Sequence, residues 1–146
     1  MNRFYVKLVI TAAAGSLLFS NSIGAQVSPY SPKILPPAVK AAHVRITQGP
    51  ELESARPNLV IIRWTSKNPG GSPEHYGVVH YGTNPKDLSQ TAKSPIRLNP
   101  GHTYTVFRVR MDDLPPRTTY YYKVDSMEAN GTSDGITSPV KHFTTP

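Results

Sequence analysis

The chain contains no cysteine. That excludes disulfides, thiolate metal sites and cysteine nucleophiles, and it leaves a domain outside the cytosol to rest on its apolar core. Long apolar runs are scarce as well. Residues 6–19 form one such stretch, too short for a permanent span, and no second follows. No segment sustains a 3.6-residue apolar period, so helix should be scarce. No G-x-S-x-G elbow marks a serine nucleophile. The formal charge of +7 is scattered along 146 residues rather than gathered into a stripe or recognition motif, which argues against a nucleic-acid partner.

The residues that are present divide into three segments. Residues 1–25 read as a signal peptide: Arg3 and Lys7 lead into the apolar stretch, and Ser22, Gly24 and Ala25 supply small residues for cleavage before Gln26. A secreted or periplasmic protein of bacterial type is the expectation, with no membrane span after cleavage. Residues 26–42 hold four prolines and no alternation, and read as an extended leader. Residues 43–146 are enough chain for one domain with a core of its own.

Within that domain, short β-branched and aromatic runs alternate with turns rich in Pro, Gly, Asn and Ser. Strands are expected near 43–48, 58–65, 75–82, 103–111, 118–126 and 139–144, with a weak one near 87–91. About seven antiparallel strands at this spacing predict an all-β, immunoglobulin-like sandwich. Two-residue alternation then assigns the core: Val60, Ile62 and Trp64; Val79 and Tyr81; Phe107, Val109 and Met111; Tyr122 and Val124; and Phe143. Val78 and His80 should face outward. So should Ile61 and Arg63, with Val106, Arg108 and Arg110 on a neighbouring strand.

The run Leu114-Pro115-Pro116-Arg117-Thr118-Thr119-Tyr120 resembles the Leu-x-Pro-x-Thr-x-Tyr corner of fibronectin type III domains. The resemblance makes Leu114, Pro116, Thr118 and Tyr120 the structural corner, with the Tyr120 hydroxyl bonded to nearby backbone. More narrowly, "VRITQGP", "LVIIRWTS", "VVHYGTNPKDLSQTA", "DLPPRTTYYYKV" and "HFTTP" are similar, in order, to the N-terminal domain of purple acid phosphatases and related metallophosphoesterases. That resemblance implies a non-catalytic accessory sandwich that normally precedes a metal-dependent phosphatase domain. The family's Gly-Asp-x-Gly and Gly-Asn-His-Glu catalytic motifs do not occur, and the sequence reaches Pro146 where the resemblance would start that domain. No catalytic residue, cofactor or metal ligand is carried over.

The residues themselves offer little chemistry. His43, His75, His80, His102 and His142 are each isolated, and exposed strand positions are their expected setting. His80 and His142 would approach only if their strands shared a sheet, and a zinc site needs three or four ligands. Asp112 and Asp113 precede the Leu-Pro turn, Asp125 and Glu128 flank a polar hairpin, and Glu51 and Glu53 belong to the first connection. The candidate surface is therefore Ile61, Arg63, Val106, Arg108 and Arg110, with Tyr121 exposed on the other sheet. Its partner would be another protein, a cell-surface polymer or a second copy of the chain. Three roles follow: a binding module, a structural subunit assembling through leader and sheet edges, or the accessory subunit of a separate metallophosphatase.

Overall fold

A computed structural model describes residues 39–146; the expected signal peptide and residues 26–38 of the leader lie outside the described residues. Seven strands are described: β1 (Ile46–Arg56), β2 (Leu59–Lys67), β3 (Glu74–Gly82), β4 (Gln90–Arg97), β5 (Tyr104–Asp112), β6 (Thr119–Glu128) and β7 (Lys141–Thr144). They form two antiparallel sheets, ordered β1-β2-β5 and β4-β3-β6-β7. This is the fibronectin type III-like β-sandwich, with the fourth strand joined to the larger sheet.

Each sheet turns one face inward because its strands alternate apolar and polar residues. Val60, Ile62 and Trp64 of β2 meet Phe107, Val109 and Met111 of β5, and all six are buried. From the facing sheet come Val79, Tyr122, Val124, Tyr120 and Phe143. Trp64 stacks on Phe107 with ring centroids 5.1 Å apart, and Tyr120 stacks on Phe143 at 5.7 Å. Burial of each large side chain contributes about 1.5–3 kcal/mol, so this cluster carries most of the driving force. Burial, reinforced by the charge of Glu51, pushes the Tyr122 phenol up to about 12. Tyr81 is half-buried at the cluster's margin, where its ring meets the edge of Tyr120 at 5.9 Å. Room for Trp64 comes from Gly77: a Cβ there would lie 2.9 Å from both the Trp64 indole and the Val109 side chain.

Several strand limits differ from those read in the sequence, each for a local reason. The first strand, expected to end near 48, continues through Gly49-Pro50 as an irregular, bulged segment and carries Glu51 and Glu53 within it rather than in the first connection. Gly49 adopts a φ of 79° there, and a Cβ would approach the Arg63 carbonyl to 2.8 Å. The weak strand near 87–91 is displaced to Gln90–Arg97, an edge position that tolerates Pro95. Val78, expected to face solvent, is fully buried on the outward side of β3. Its cross-strand neighbours are Lys93 and Asp125, whose longer side chains enclose a small β-branched one.

The corner before β6 is locked by Thr145, just past the last strand, rather than by its own tyrosine. Thr145 Oγ1 donates to the Pro115 carbonyl at 2.6 Å and accepts from the Thr118 amide at 2.9 Å. The Thr145 amide donates in turn to the Thr118 carbonyl at 3.0 Å. Leu114 is buried, Thr118 half-buried and Pro116 exposed. The Tyr120 ring is buried, but its hydroxyl forms no hydrogen bond among the described residues.

Candidate functional site

The residue types of a hydrolytic triad do meet, inside the protein. His75 is fully buried, contrary to the expectation of an exposed strand histidine, because β3 points it inward beneath the segment 129–140. Its Nδ1 lies 2.9 Å from Asp134 Oδ2, and its Nε2 lies 3.1 Å from the Gly70 carbonyl. Ser126 Oγ donates to the same Asp134 oxygen at 2.7 Å. The order is thus serine to aspartate to histidine, with both ring nitrogens facing acceptors. A general base needs a free imidazole nitrogen beside its nucleophile. This arrangement offers none, and its side chains have no exposure to a substrate. Lys40 closes the cluster from outside, bonding Glu128 at 2.7 Å and standing 3.7 Å from Asp134. That hydrogen bond holds the Glu128 carboxyl below its ordinary range.

The other histidines do not converge. His80 lies opposite Lys123 and His142 opposite Tyr121, so β3 and β7 share a sheet but β6 stands between them. Among the described residues, no group of three or more His, Cys, Asp or Glu is placed to hold a metal ion. Nor is any helix among them long and apolar enough to cross a membrane.

The arginine face is brought together as expected: Ile61 pairs with Arg110, and Arg63 with Arg108, across β2 and β5. Ile61, Arg63 and Val106 are half-buried, whereas Arg108 and Arg110 are exposed. The arginines are already matched by acids. Arg63 donates to Glu51 at 2.9 Å, Arg108 to Glu53 at 2.9 and 3.0 Å, and Arg110 to Asp112 at 2.7 and 2.9 Å. The irregular β1 provides the first two pairs by carrying Glu51 and Glu53 alongside β2 rather than into a loop, whereas Arg110 meets Asp112 within β5 itself. Exposed pairs of this kind contribute at most about 1 kcal/mol each, but they neutralise the face. Tyr121 is half-buried on β6 of the other sheet, tilted against His142 at 5.9 Å.

Farther along the same face the charge pairing ends. Here a groove of about 480 Å³ is lined by Thr47, Gln48, Arg63, Thr65, Lys67, Thr103, Tyr104 and Val106. Lys67, the last residue of β2, enters no ion pair among the described residues and lies opposite Tyr104. Tyr104 is 51% exposed, and its ring stacks on His102 at 5.6 Å with an interplanar angle of 21°. Alternation along β5 already places Tyr104 outward with Val106, but its position beside Lys67 depends on the register. The buried cluster left less trace in the sequence: His75, Ser126 and Asp134 come from separate segments, one of which resembles an ordinary polar turn.

No curated protein matches the chain in sequence. Among solved structures, wild-type OgpA from Akkermansia muciniphila aligns at 17% identity with a TM-score of 0.37, over 72% of this chain and 28% of that one. The present chain therefore corresponds to little more than a quarter of that structure's length. A family model, purple acid phosphatase, N-terminal domain, matches residues 46–145, from the first strand to the threonine that clasps the corner. With that match spanning both sheets of the sandwich, the chain belongs to the purple acid phosphatase N-terminal domain family.

Proposed function

We propose that the domain is a secreted binding module that recognises a partner outside the cytoplasm through the outward face of the β1-β2-β5 sheet. The observation that carries this reading is the contrast along that face. Arg63, Arg108 and Arg110 are neutralised by neighbouring acids, whereas Lys67 has no ion pair among the described residues and stands with the exposed Tyr104 beside a groove. An exposed tyrosine held against a neighbouring ring is a residue type that interfaces favour, and the unpaired lysine beside it adds a charge that a ligand can meet. The signal-like residues 1–25 support an extracellular setting. Co-sedimentation of the purified protein with its native cell-envelope fraction tests the reading. Retention should fall at least tenfold when Lys67→Glu and Tyr104→Ala are combined, and retention unchanged by that pair would overturn it.

The family match favours one further reading, in which the module assists a metallophosphatase domain. It predicts no phosphoester turnover by this domain alone when supplied with iron, zinc or manganese. It also predicts stable association with the catalytic domain, measurable by gel filtration.

A further inference from the structure

Resting on the binding-module reading, the geometry points to an acidic saccharide, a sugar chain bearing uronic-acid carboxylates, as the ligand of the groove beside Tyr104. The first reason is the ring itself. Tyr104 is half exposed yet held in place by stacking on His102, so the platform exists before any ligand arrives. A pyranose ring presents a face of C–H bonds with partial positive charge, which matches the negative face of an aromatic quadrupole. Pre-ordering the platform reduces the entropy lost on binding.

The second reason is the lining. Thr47, Gln48 and Thr103 present short exposed polar groups, Thr47 with its hydroxyl proton given to the Thr65 carbonyl at 3.3 Å and its lone pairs left to accept, and Val106 is the one aliphatic side chain among the groove residues. The Thr65 hydroxyl already contacts the Gln48 carbonyl oxygen at 3.4 Å, which leaves the Gln48 amide group to donate elsewhere. Many small polar groups suit a ligand with many hydroxyls. A peptide would find no apolar pocket for an anchoring side chain, which is where peptide affinity ordinarily concentrates. The volume of about 480 Å³ falls within the roughly 300–1,000 Å³ of small-ligand clefts.

The third reason is charge. The groove has two cationic residues, but Arg63 is held by Glu51 at 2.9 Å. Lys67 alone remains for a ligand carboxylate. One point cation on a flexible stem suits a sparse anion such as a uronate more than a continuous polyphosphate, for which clustered arginines are the usual match.

Titration calorimetry of the purified protein with tri-galacturonate is the test, with maltotriose, tripolyphosphate and hexaglutamate as comparison probes. Tri-galacturonate should bind at least tenfold more tightly than each of the others. Lys67→Gln and Tyr104→Ala should each weaken it at least tenfold, Tyr104→Trp should retain it, and Arg110→Gln on the paired part of the face should leave it unchanged. Unaltered unfolding midpoints in these variants assign the losses to the site. Equal binding of tripolyphosphate or hexaglutamate, insensitive to Tyr104→Ala, would reduce the site to bare charge and overturn the proposal. Envelope capture that still depends on Lys67 and Tyr104, without tri-galacturonate binding, would overturn the saccharide but leave the binding module standing. Absence of both would overturn both.

Discussion

Thr145 and Tyr120 exchange the roles that the corner motif suggests. The motif assigns the lock to the tyrosine hydroxyl, but the structure gives the hydrogen bonds to a threonine near the end of the domain. Thr145→Ala should therefore cost about 1–3 kcal/mol in urea unfolding, because it strands the Thr118 amide and the Pro115 carbonyl in a partly buried corner. Tyr120→Phe should change stability by less than about 0.5 kcal/mol, since the ring packing is kept. The reverse order of effects would restore the tyrosine to its expected role. Position 120 was legible as a corner from the spacing of Leu114, Pro116, Thr118 and Tyr120. Which oxygen does the bonding depends on where β7 ends, and no local pattern encodes that.

At the level of elements, the most consequential difference lies between β6 and β7. Residues 129–135 have the composition of a solvated turn, yet Asp134 within them and Ile136 just after are buried, and the segment caps the polar end of the core. Asp134 binds His75 and Ser126 through one carboxylate oxygen, while its amide donates to the Ser126 carbonyl at 2.9 Å. Asp134→Ala removes the acceptor and leaves His75 and Ser126 buried without it, at a cost of about 1–3 kcal/mol for each group stranded. Amide exchange should show where that loss falls: protection at Ser138 and Glu128 should drop before that of β2 and β5. Uniform loss, or none, would contradict a local clasp. Strand existence and facing were readable from alternation in β2, β5 and β6. Alternation failed where backbone irregularity intervened, at Gly49-Pro50 in β1, and where an outward residue was enclosed by neighbours, at Val78. Glu51 and Glu53 were missed as partners for the first of these reasons, and with them much of the neutral character of the arginine face.

For the whole molecule, stability should depend on pH through a few groups whose environments the fold alters. Burial lowers the His80 pKa below its ordinary value of 6.5, with Asp125 opposing and Lys123 and Lys93 assisting. The fold thus favours the neutral ring, and its contribution is complete above pH 6.5 and declines as pH falls below that value. Lys40 depresses the Glu128 pKa, a stabilisation present above the ordinary 4.5 and lost at lower pH. Asp125 runs the other way: burial raises its pKa above 3.8, so protonation relieves it as acid is added. His80 thus contributes a loss of stability with falling pH in the window between the carboxylates and pH 6.5. Thermal midpoints should decline with falling pH there, and His80→Gln should flatten that slope; a slope unchanged by the substitution would assign it elsewhere.

The attachments of Lys40 and Thr145 have a mechanical consequence. Lys40 is fixed beside Glu128, where β6 ends, and Thr145 beside Thr118, just before β6 begins. Ten residues of β6 hold these points about 30 Å apart at roughly 3.3 Å per residue. Tension applied between residues 40 and 145 would reach the sandwich through β1 and β7, each pulled lengthwise against its antiparallel neighbour. Ladders loaded in shear must break several hydrogen bonds together, whereas ladders peeled from one end break them singly. Under such a load β1 and β7 would give way as whole ladders rather than one hydrogen bond at a time.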